Sequence, residues 1–80
     1  MDRYWSYNVE IKTDNFSRAD AIIKYHDSQG EFDNYCLTYK IKESDGMYTV
    51  GYRIAPYIYE DLCTIIGKLR DAGVQVTKVS

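Results

Sequence analysis

Two runs of apolar–polar alternation flank an Asp45-Gly46 pair, and no other feature of the chain restricts its fold as tightly. Tyr35, Leu37, Tyr39 and Ile41 hold alternate positions in the first run; Tyr48, Val50, Tyr52 and Ile54 do so in the second. A period of two puts each set on one face of a strand, and Asp-Gly is a favoured two-residue hairpin loop. Strands over 34–43 and 47–54 follow. With Ser44 facing Met47, Ile41 lies opposite Val50, Tyr39 opposite Tyr52 and Leu37 opposite Ile54, so every apolar partner shares a face.

The flanking segments extend this sheet. Residues 4–12 alternate, with Trp5, Tyr7, Val9 and Ile11 on one face and Tyr4, Ser6, Asn8, Glu10 and Lys12 on the other, which reads as a half-buried strand closed by Thr13, Asp14 and Asn15. Phe16 to Gln29 supports two periods. As a helix it has Ser17 as N-cap, Asp20 at N3, Ala19, Ile22, Ile23 and His26 on one face, and Gly30 as its stop. As a strand, Ala19, Ala21, Ile23 and Tyr25 alternate, and Asp27 to Gly30 form a loop. Pro56 suits the first turn of a helix over 56–72, in which Ile58, Leu62, Ile65, Ile66 and Leu69 recur at helical spacing and Gly73 is the stop. Val74 to Val79 then return to the sheet as a short strand.

The fold class is α+β, a single mainly antiparallel sheet with helical cover on one face. A helical 17–29 gives the order βαββαβ, called ferredoxin-like; a strand there gives a ββββαβ meander with one long helix, 56–72. Eighty residues bound one compact domain, 1–80, which hides about 60% of its unfolded surface and has little room for a deep cavity. The hydrophobic fraction of 45% and charged fraction of 28% are those of a globular chain. A net charge of −2, without a block of like charges, argues against general phosphate neutralisation and is too mild for an acidic nucleic-acid mimic. Cys36 and Cys63 lack CxxC spacing and read as free thiols in a reducing cytosol, and no run of about 18 apolar residues proposes a membrane span.

Catalytic and metal motifs are missing. His26 is the single histidine, with no second ligand or nucleophile placed beside it by either period, and Glu60-Asp61 reads as compensation of a helix dipole. No catalytic residue, cofactor site or metal site is assigned. The tyrosines share faces with Val, Leu and Ile, so Tyr7, Tyr35, Tyr39, Tyr48 and Tyr52 belong with the core. The RRM family shares the βαββαβ order, but its third-strand pattern calls for a Gly-aromatic-small-aromatic run, where this chain has Tyr48-Thr49-Val50-Gly51-Tyr52-Arg53.

Two surfaces remain as binding candidates. The uncovered sheet face carries Asn8, Glu10, Lys12, Cys36, Thr38, Lys40, Lys42, Thr49, Gly51 and Arg53, with Lys12, Lys40, Lys42 and Arg53 making it mildly basic and a candidate contact for RNA or DNA. The register sets Lys40 opposite Gly51, Thr38 opposite Arg53 and Lys42 opposite Thr49. The second surface is the outer side of the helix over 56–72, where Tyr59, Cys63, Gly67 and Arg70 lie away from the apolar stripe; a glycine there costs about 1 kcal/mol relative to alanine. The expectation is a cytoplasmic, non-enzymatic protein-binding module, a small inhibitor or adaptor that occludes a surface of a larger protein or complex, with homodimerisation also open. In size and character it resembles small inhibitors encoded by phages and mobile elements, anti-CRISPR proteins among them, and immunity proteins. That resemblance is one of class and rests on no motif.

Overall fold

A computed structural model describes residues 5–80 of the protein, in the order β1 (Tyr7–Thr13), α1 (Phe16–Ser28), β2 (Phe32–Lys42), β3 (Tyr48–Pro56), α2 (Tyr59–Asp71) and β4 (Gln75–Val79). The strands form one sheet in the order β2-β3-β1-β4, with every neighbouring pair antiparallel. This is the ferredoxin-like βαββαβ arrangement, and the helical reading of the ambiguous segment is the one realised. Tyr4, expected to open the first strand, lies outside the described residues.

The helix α1 begins two residues earlier than its sequence suggested. Asn15, not Ser17, is the N-cap, its side chain accepting from the Arg18 N–H at 3.1 Å. Thr13, expected in a turn, is instead the last residue of β1; its buried hydroxyl accepts from the Asn15 N–H at 3.0 Å and so orients the cap. Both helices end in Schellman motifs on positive-φ glycines: Glu31 N–H reaches His26 O and Gly30 N–H reaches Asp27 O, while Val74 N–H reaches Leu69 O and Gly73 N–H reaches Arg70 O. Pro56 is the last residue of β3 and not the first turn of α2, which starts at Tyr59.

The two helices lie on the face carrying Val9, Ile11, Val50, Tyr52 and Ile54, all hidden from solvent, and close the core with Ala19, Ile23, Leu62, Ile65 and Leu69. Each helix contributes only its i, i+3, i+4 stripe, as an amphipathic helix must. Tyr52 crosses this layer to reach α1, donating its hydroxyl to Asp20 Oδ1 at 2.7 Å. Asp20 also receives Lys24 Nζ at 3.0 Å. Burial first, and then the Asp20 bond, raise the Tyr52 hydroxyl far above the ordinary tyrosine range.

The hairpin differs from the expected one in its loop. Glu43 N–H pairs with Met47 O at 2.7 Å and Gly46 N–H with Glu43 O at 3.1 Å, so Ser44, Asp45 and Gly46 form a three-residue loop with Gly46 at φ +83. A type I turn followed by a left-handed glycine has this form, and Asp45 Oδ1 fixes it by accepting the Met47 N–H at 2.9 Å. The additional loop residue slips the register by one. Lys42 faces Tyr48, Ile41 faces Thr49, Lys40 faces Val50 and Tyr39 faces Gly51; after an irregularity at Thr38, Leu37 faces Tyr52, Cys36 faces Arg53 and Tyr35 faces Ile54. The expected pairs Ile41–Val50, Tyr39–Tyr52 and Leu37–Ile54 therefore do not form. The bulge returns Tyr35 and Leu37 to the helical side but leaves Tyr39 and Ile41 on the uncovered side.

Candidate functional site

The register decides what the uncovered sheet face carries. Lys40 pairs with buried Val50 and sends its ammonium 4.3 Å from the centre of the Phe16 ring on α1; Lys42, opposite Tyr48, lies 5.9 Å from the centre of the Tyr48 ring. Both lysines, expected on the open face, belong to the helical side. Lys12 and Arg53 do lie on the open face, and Lys12 meets Asp45 at 3.4 Å. The four cations expected to act together are thus divided between two faces.

In place of the lysines the open face presents Tyr39, whose ring lies flat against Gly51; a Cβ on that glycine would enter the ring's van der Waals envelope. The Tyr39 hydroxyl donates to Glu10 Oε1 at 2.6 Å and Thr77 Oγ1 donates to Oε2 at 2.8 Å. These two bonds, Tyr39 first, hold the Glu10 carboxyl below its ordinary pKa, and the same bond raises the Tyr39 hydroxyl. A shallow cleft of about 230 Å³ opens beside them. Both oxygens of its carboxylate already accept from the protein, so the cluster is a cross-strand clasp more than a vacant receptor. Tyr39 is a correction to the expectation of core tyrosines, while Tyr7, Tyr35 and Tyr48 pack against the core and Tyr52 lies within it.

His26 is buried, with Nδ1 in contact with Glu31 Oε1 and its ring stacked on Phe32 at 6.2 Å. It ties the end of α1 to the start of β2. Among the described residues no three His, Cys, Asp or Glu side chains converge as metal ligands, and both cysteines are free and exposed.

The outer side of α2 holds together as expected. Tyr59, Cys63, Gly67 and Arg70 are all exposed, and at 3.6 residues per turn they fall within about 80° of one another, facing away from buried Leu62, Ile65 and Leu69. They form a row about 16 Å long. A Cβ on Gly67 would meet nothing within 4 Å, so the domain's own packing gives no reason for a glycine. Interaction with the Cys63 sulfur raises the Tyr59 hydroxyl above its usual range.

The row continues into a surface that sequence periodicity concealed. Tyr57, Ile58 and Tyr59 are 62%, 56% and 59% exposed, and Trp5, ahead of β1 at the same end of the sheet, is 70% exposed. Tyr7 joins them through its ring, 5.9 Å from that of Tyr59. Ile58 was expected on the buried stripe; it is the N-cap of α2, extended at φ −133 and ψ 155, and supplies no capping bond. An apolar cap forgoes about 0.5–2 kcal/mol that Ser, Thr, Asp or Asn would provide. The signal was available in the sequence as the lack of such a residue between Pro56 and Glu60.

No protein-family model matches the chain, and no curated protein matches it significantly. Among solved structures it is similar to the ACT domain of a GTP pyrophosphokinase from Chlorobium tepidum, with a TM-score of 0.56 over 98% of this chain and 97% of that one. At 20% identity the likeness establishes the shared fold. No helix among the described residues is long and apolar enough to cross a membrane.

Proposed function

We propose that the chain is a non-enzymatic protein-binding module, a small inhibitor or adaptor that covers a surface of a larger protein through the outer row of α2 and the aromatic junction preceding it. One observation carries this reading. Ile58, the N-cap at the start of α2, and Gly67, in its outer row, both depart from local helix preference, both are exposed, and neither returns anything to the domain's own packing. Such departures concentrate at sites shaped for another purpose. A partner pressed against α2 supplies one for each: Ile58 and its tyrosine neighbours give apolar and aromatic anchors, and Gly67 permits close approach of a backbone.

The disposition of titratable groups supports the non-enzymatic part of the reading. His26 is engaged with Glu31, Asp20 with Tyr52 and Lys24, and Glu10 with Tyr39 and Thr77. Each pair ties one element to another or braces a helix.

The test compares captures from the native host by tagged wild type and tagged Gly67→Arg, quantified by mass spectrometry. A protein retained stoichiometrically by wild type and lost from Gly67→Arg is expected. Equal recovery of every stoichiometric partner by the two baits would overturn the assignment of the surface.

A further inference from the structure

Strand β2 is one outer strand of the sheet, and the side turned away from β3 is unpaired among the described residues. At eleven residues it is much longer than β4, the five-residue strand at the other edge. It offers about 35 Å of free backbone donors and acceptors. Edges of this kind are normally kept short, covered or guarded by charge. Here Leu37, Tyr39 and Ile41 stand 43%, 40% and 50% exposed along it.

The charges on this edge discriminate between a guard and a docking strip. A guarded edge repels a second copy of itself by carrying one sign along its length. In β2 and its flanks, Glu31 and Asp33 lie at the start and Lys40 and Lys42 at the end, followed by Glu43. An antiparallel second copy reverses that order. With a two-fold axis at Leu37 and Thr38 bulged out of the pairing, Asn34 of each copy comes opposite Ile41 of the other and Asp33 comes beside Lys42. Cys36 lies next to the axis.

We propose that two copies of this chain pair through β2, antiparallel about a two-fold axis near Leu37, joining the two sheets into one of eight strands. The axis is perpendicular to the sheet, so the helices of both copies stay on one side. Helix α1 packs over β2, whereas α2 packs over β3 and β4. The outer side of α2 therefore stays free in the dimer, and this inference stands independently of the function proposed above. The bulge takes Thr38 out of the pairing, so residues 39–41 of each copy align with 34–36 of the other and every aligned pair shares a face.

Sedimentation equilibrium over a wide concentration range tests the pairing. Wild type is expected to sediment as a dimer. Asp33→Lys makes the charges of each edge alike, and so does the double change Lys40→Glu with Lys42→Glu; either should weaken self-association at least tenfold with the circular dichroism spectrum unchanged. An equimolar mixture of the two variants should recover a heterodimer, because opposite signs meet again. A Cys63→Ser protein treated with a short bis-maleimide should yield a covalent Cys36–Cys36 dimer, a readout that survives if a charge variant fails to fold. Gly67→Arg should leave the mass unchanged. A wild type that stays monomeric at every concentration overturns the proposal, as does a dimer indifferent to both charge variants that gives no Cys36 cross-link.

Discussion

Tyr52→Phe removes a single oxygen atom from the middle of the molecule, and its effect follows from the surroundings of that atom. Tyr52 is 1% exposed, and its hydroxyl bonds the Asp20 carboxylate at 2.7 Å across the sheet–helix interface. A bond to a charged acceptor contributes about 1.5–3 kcal/mol, and phenylalanine keeps the ring's packing, so the expected loss is about 2 kcal/mol. For a domain of this size that corresponds to a fall in Tm of roughly 8–16 °C. Asp20→Ala should cost a similar amount, because it strands the buried hydroxyl. The double variant should fall short of the sum by about 1–2 kcal/mol, the signature of one shared interaction. Urea unfolding followed by circular dichroism measures all three.

The same bond sets a pH dependence. The folded-state pKa of Tyr52 is raised, so the stability it confers is complete below about pH 10 and is lost progressively as pH rises above that value. Tyr52→Phe should remove this part of the alkaline decline. A Tyr52→Phe protein within 0.5 kcal/mol (about the spread of a neutral surface change) of wild type, with unaltered alkaline unfolding, would refute the reasoning.

Two further outcomes follow from other surfaces. Gly51→Ala should expel the Tyr39 ring and raise the Glu10 pKa towards its ordinary value, as Tyr39→Phe should, in an NMR titration of the Glu10 carboxyl. Because the folded pKa of Glu10 is depressed, its contribution to stability is present above the ordinary carboxylate range and fades as pH falls through the folded value; an unmoved Glu10 titration in both variants would dismiss the clasp. On α2, Ile58→Asp should stabilise the isolated chain by about 0.5–2 kcal/mol and Gly67→Ala by up to about 1 kcal/mol in thermal unfolding. Loss of stability in either would mean that the residue serves the fold after all.

The strands, α2 and the turn glycine were legible because each is dictated locally: period two, period 3.6, and a left-handed position that glycine fills. The register of β2 was not legible, although every apolar partner agreed in the expected alignment. A three-residue loop in place of two shifts the pairing by one, and the Thr38 bulge redistributes the faces; both depend on contacts across the sheet. β2 tolerates the shift because it is an edge strand, where Lys40 can lie over Phe16 and Tyr39 can rest on Gly51. Local spacing left 16–29 open between helix and strand, and the contacts that hold it as a helix on the sheet, such as Asp20 with Tyr52, come from 32 residues away. Of the candidate site, Tyr59, Cys63, Gly67 and Arg70 were readable from helical spacing. Tyr57, Ile58 and Trp5 were hidden, because their apolar character matched the core pattern and only the true starts of α2 and β1 reveal their exposure.

The most direct test of the α2 surface uses the two exposed thiols. Cys63 lies in the row between Tyr59 and Gly67, and Cys36 lies on the open side of β2. The rate of alkylation by a maleimide, read at each thiol by peptide mass spectrometry, is to be compared for the chain alone and in complex with its captured partner at equal chain concentration. Binding through α2 predicts that Cys63 becomes strongly protected while Cys36 reacts as before. Protection of Cys36 with Cys63 still freely reactive would contradict the account and move the interface to the sheet.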